Sequence, residues 1–180
     1  MNGGSDMAVG SIGSSVGVPN VPRSVHALGS FPDADYADRF TLSTDVDASP
    51  ERWARAMFGD VPDAAEMLIW RGLLGLRLSP GRSPATVAGW RIGGRGDDWI
   101  RMEAASWFLS ANLLVQTADG RVSLTTFLRY DRWPGHAVWP PLAVVHRLLV
   151  PRVLREAAAR LTTGSWHVRA ANPADPGLHD

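Results

Sequence analysis

The sequence predicts a single α+β domain in which a curved antiparallel sheet wraps around a long C-terminal helix, with two short helices after the first strand. Three observations predict it. Between Ala88 and Asp131 apolar runs alternate with turn signals at hairpin spacing. From Trp139 to about Leu161 the apolar residues return at helical spacing. Between the first strand and the meander, Ser49-Pro50 and Gly59 bracket a short amphipathic stretch. An antiparallel sheet with an apolar face needs cover, and the last helix is the only element long enough to supply it.

Taken in order, residues 1–30 are rich in Gly, Ser and Val without a period and read as a flexible N-terminal tail. The domain proper spans 31–168, and residues 169–180, with Pro173 and Pro176, read as a second tail. Tyr36 to Val46 is the first strand, its alternation plain from Phe40 onward. Ser49 is placed to cap a helix with Pro50 at its first position, and Gly59 to end it. A second short helix is expected from Pro62 to about Arg71, after which Gly72, Gly75, Pro80 and Pro84 forbid continuation.

The meander follows. Trp90 to Gly93, Trp99 to Ala104, Trp107 to Thr117 and Arg121 to Tyr130 read as strands, and Asp119-Gly120 marks a two-residue hairpin. On the last strand Val122, Leu124, Thr126, Leu128 and Tyr130 share one face. Trp133-Pro134-Gly135 turns the chain into the final helix, whose stripe is Leu142, Val145, Leu149 and Val153 and which Pro151 should kink.

Composition narrows the chemistry. The chain has 180 residues, 45% hydrophobic and 20% charged, with no cysteine and no lysine; all 18 basic residues are arginine. Thiolate nucleophiles, Schiff-base lysines and Walker-type lysines are thereby removed. The formal net charge is zero, so neither nucleic acid nor an anionic membrane is an expected partner. No uninterrupted apolar run reaches the roughly 18 residues that span a bilayer, and no secretion signal is legible, so a cytoplasmic location is expected. The five histidines lack zinc-site spacing, and no dinucleotide or phosphate-loop fingerprint occurs, so neither metal nor cofactor is expected.

The element order resembles the helix-grip fold of the START-like (SRPBCC) superfamily, which includes polyketide cyclases and aromatases. The stretch LTTFLRYDRWPGHAVWPPLAVVHRLLVPRVL, Leu124 to Leu154, looks like the end of an uncharacterised bacterial family within it: a Thr-rich strand, a turn with Gly, then a helix with a His-Arg step and an aliphatic pair. Asp35 to Phe40, DYADRF, is similar to that family's start. The resemblance implies an internal cavity for an apolar small molecule. It also implies cofactor-independent chemistry of a cyclase, dehydratase or isomerase in bacterial secondary metabolism, or else a non-catalytic carrier of the same shape. The oligomeric state stays open, a homodimer included.

Candidate catalytic residues are His146, Tyr130, Asp131 and Arg129. His146 falls in the apolar stripe of the last helix, where an imidazole can move a proton inside a greasy pocket; a satisfied core histidine is the competing reading. Arg129 and Asp131 end the clearest strand, as an oxyanion holder and a base or as a plain surface ion pair. Tyr130 shares the face of Leu128 and offers a weak acid. For ligand contact, Trp107, Trp133 and Trp139 are expected as aromatic walls, with Leu109, Thr126, Leu128, Leu142 and Leu149 lining the remainder.

Overall fold

The computed structural model describes residues 10–59 and 68–170. Seven antiparallel strands form one sheet in the order β1-β2-β7-β6-β5-β4-β3. They are β1 (Ile12–Val16), β2 (Tyr36–Ser43), β3 (Thr86–Val87), β4 (Trp90–Arg95), β5 (Trp99–Ala105), β6 (Leu109–Ala118) and β7 (Arg121–Tyr130). The helices are α1 (Arg23–His26), α2 (Pro50–Phe58) and α3 (Pro134–Ala170). This is the curved sheet with a long C-terminal helix that the patterning predicts, an arrangement compatible with a helix grip.

Local chemistry explains the elements near the site. Ser49 Oγ accepts a hydrogen bond from the Arg52 N–H, Pro50 opens α2, and Gly59 closes it with φ 73°. Asp119 and Gly120 both have positive φ, 50° and 68°, as the tight hairpin between β6 and β7 requires. The second predicted helix falls largely on residues outside those described; of it, Leu68–Leu73 forms a wide helical turn.

Two expectations need correction. The segment read as an N-terminal tail is structured from Ile12: β1 pairs with β2, and residues 18–34 fold across the outer face of the sheet. There Val21, Val25 and Phe31 bury against Ala37, Leu114 and Phe127. Its apolar residues follow the surface they cover rather than any helical or strand period, so periodicity misses them. The final helix also begins earlier than expected, at Pro134 rather than Trp139, because proline suits a first helical position. Gly135 is needed there: a Cβ would meet the Tyr130 side chain at 2.9 Å.

α3 runs on through Pro140, Pro141 and Pro151 and packs against β7, β2 and α2. By length and composition, its stretch from Pro134 to Thr163 is also long and apolar enough to cross a membrane. In the fold, however, Ala143, Val150, Leu154, Ala157 and Leu161 belong to the core, while Val144 and Leu148 face outward, 53% and 72% exposed. The helix therefore grips the sheet with one side only.

Candidate functional site

β2 and β7 pair so that Asp38 lies directly opposite Thr126, with Tyr36 opposite Leu128 and Phe40 opposite Leu124. All of these side chains share the face that α3 covers, since alternate residues of a strand point the same way. His146 comes down from α3 onto this spot. Its Nε2 lies 3.1 Å from Thr126 Oγ1 and 3.3 and 3.4 Å from the two carboxylate oxygens of Asp38. The Asp38 carboxylate, 0% exposed, also accepts a 2.6 Å hydrogen bond from the Tyr36 hydroxyl.

The electrostatics of the cluster are directional. An ionised carboxylate can only accept, so Asp38 selects the tautomer with the proton on Nε2. Nδ1 makes no hydrogen bond to a described residue and is left as the basic nitrogen. Burial first, then the Asp38 charge and its hydrogen bond, push the Tyr36 hydroxyl far above the usual phenol range, overcoming the opposing pull of Arg147. Tyr36 thus remains a neutral donor that holds Asp38 in place. Trp139 buttresses both rings, edge-on to Tyr36 at 5.2 Å and tilted against His146 at 5.4 Å.

Beside this cluster lies a cavity of about 150 Å³. Leu113, Leu124, Thr126 and Leu128 of the sheet form its floor, and Leu142, His146, Leu149 and Val153 of α3 its roof. Phe58, Trp70 and Trp90 close the far side. Val145 and Leu149 line it while remaining 46% and 38% exposed, which places its mouth along that edge of the helix. The indole N–H groups of Trp90 and Trp139, two of the lining residues, are buried and have no acceptor among the described residues.

No family pattern, curated protein or solved structure matches this chain.

Of the residues singled out in the sequence, His146, Thr126, Leu128, Trp139, Leu142 and Leu149 meet at the cavity. The others lie elsewhere. Asp131 bonds Ser110 Oγ at 2.6 Å and Arg129 Nε at 2.8 Å, and Arg129 stacks over Phe31 of the outer face. Burial would raise the Asp131 carboxyl, but these two partners outweigh it and hold it below the usual range. Tyr130 packs edge-on against His136 at 4.7 Å and does not bond His146; burial and then Asp35 push its hydroxyl up to about 12.

Leu109 is fully buried core outside the cavity wall. Trp107 sits ahead of β6 in a turn that Ser106 Oγ holds by accepting from the Phe108 and Leu109 N–H groups, and it is 58% exposed. Trp133, just before α3, is 77% exposed. The sequence reading missed Asp38 and Tyr36. A signal was present: Asp38 has the parity of Phe40 and Leu42, an acid on the apolar face of a strand. Among the described residues no set of His, Asp and Glu side chains converges to hold a metal ion.

Proposed function

We propose that the protein is a cofactor-independent acid–base enzyme acting on an apolar small molecule held between sheet and helix, in the manner of the START-like cyclases, dehydratases and isomerases. The observation that carries this reading is the buried Asp38 carboxylate within 3.4 Å of His146 at the wall of an otherwise apolar cavity. His146 Nδ1 takes a proton from bound substrate and returns it at another position. Asp38 orients the ring and stabilises the imidazolium that forms, and Tyr36 fixes Asp38. Thr126 offers its hydroxyl to the oxygen on which charge develops. Proton transfer of this kind calls on no electron carrier, and a cytoplasmic role in bacterial secondary metabolism fits it.

The alternative is a carrier of the same shape, favoured by a wall made almost wholly of carbon. Native mass spectrometry after incubation with cell extract, followed by kinetics on whatever is captured, separates the two. Under the enzyme reading His146→Ala and Asp38→Asn each lower turnover at least about a hundredfold with the fold intact. A captured molecule released unchanged by wild type, and held equally by both variants, assigns the protein to binding alone.

A further inference from the structure

Resting on the acid–base reading, we infer that the substrate is an uncharged compound of one or two rings carrying a carbonyl group beside an acidic C–H bond. Size comes first. The cavity holds about 150 Å³, and voids of about that volume accept a benzene-sized guest. Molecules of three fused rings exceed it, since a packed interior yields only at high cost.

Charge narrows the class further. The described wall contains no arginine, aspartate or glutamate, and its one ionisable side chain, His146, is backed by the fully buried Asp38 carboxylate. A ligand carboxylate or phosphate there would lose its water and meet a like charge instead of a guanidinium. The mouth between Val145 and Leu149 is apolar as well, which favours a guest without charge.

Hydrogen bonding supplies the carbonyl. With Nε2–H directed at Asp38, the Thr126 hydroxyl is free to donate into the cavity that its side chain lines. Donors in an apolar chamber select a guest with an acceptor oxygen. The one acceptor of the set, His146 Nδ1, is suited to a C–H acidified by that carbonyl. In the reaction the C–H bond breaks, its proton passes to Nδ1, and its electron pair forms the enolate with charge on oxygen. Return of the same proton to a conjugated carbon gives the isomer, and return to oxygen gives the enol. No co-reactant enters.

The test uses the full chain and four probes: acetophenone, toluene, benzoate and anthrone, followed by tryptophan fluorescence and thermal shift. Acetophenone should bind at least about tenfold more tightly than toluene, with no saturable response to benzoate or anthrone. Thr126→Val should bring acetophenone down to the affinity of toluene. Exchange of the acetophenone methyl protons in D2O, followed by NMR, should be accelerated by wild type and not by His146→Ala. Equal affinity for toluene and acetophenone, or saturable binding of benzoate or anthrone, overturns the substrate class and leaves the cavity reading standing. Failure of all four to bind overturns the cavity reading itself. Should Thr126→Val not fold, Val145→Trp adds bulk at the half-exposed mouth; it must abolish binding of both small probes, and retained binding overturns the assignment.

Discussion

On the outer face of the sheet the fully buried Asn112 accepts two hydrogen bonds from Ser30, from the backbone N–H and from Oγ, both at 2.8 Å, and its amide donates to the Ala111 carbonyl. On the inner face Asp38 is equally buried, but the histidine it holds lines a cavity and keeps one nitrogen without a partner among the described residues. Both faces thus bury polar atoms in an apolar setting. Around Asn112 the two Ser30 bonds tie one piece of chain to another, and the aromatic ring of Phe127 is packed against Gly29 and His26. Around Asp38 the bonds align a side chain toward a void. A satisfied buried network specifies structure, and one left with free valences specifies chemistry.

Substitutions that unbalance this contrast should act in a definite order. Phe127→Ala, which empties the outer core, should lower unfolding free energy by about 3–5 kcal/mol in denaturant titrations. On the inner face Leu113→Ala should cost less, about 2 kcal/mol, because that side chain already lacks neighbours on its cavity side. Next, Asn112→Ala strands the Ser30 donors and should cost about 1–3 kcal/mol, leaving probe binding in the cavity unchanged. A shift in ligand affinity greater than about threefold in that variant would mean the two faces are coupled.

The tyrosines at the inner face give a pH signature. The hydroxyls of Tyr36 and Tyr130 are both raised in the folded state, so the native protein holds their protons more tightly than the unfolded chain. Their contribution is complete below the ordinary phenol value near 10 and is lost as pH rises through about 12, where Tyr130 titrates. The denaturation midpoint should therefore fall between those values, and Tyr130→Phe should flatten the fall. Smallest of all, Trp133→Ser at 77% exposure should move stability by no more than about 0.5 kcal/mol and leave the cavity untouched.

The residues whose placement could be foreseen are those governed by local rules. The Ser49 cap, the Asp119-Gly120 turn and the two faces of β7 follow from spacing and backbone preference. His146 reached the sheet because its helical phase, shared with Leu142 and Leu149, carried it there. Asp131 and Arg129 illustrate the opposite: their types suited catalysis, yet β-strand parity sends Arg129 to the face away from Leu128 and the cavity. The N-terminal segment misled for another reason, since Val21, Val25 and Phe31 conform to a surface made by residues far along the chain.

From its sequence alone, this chain determined its strands, its capped helix and the apolar stripe of α3, because each depends on neighbours within a few residues. Only the tertiary structure decided that Asp38, 108 residues before His146, would become its partner, and that Thr126 would meet the same ring nitrogen. That pairing is set by strand register and helix docking together. These are long-range choices made by burying the whole apolar face at once, and no local signal encodes them.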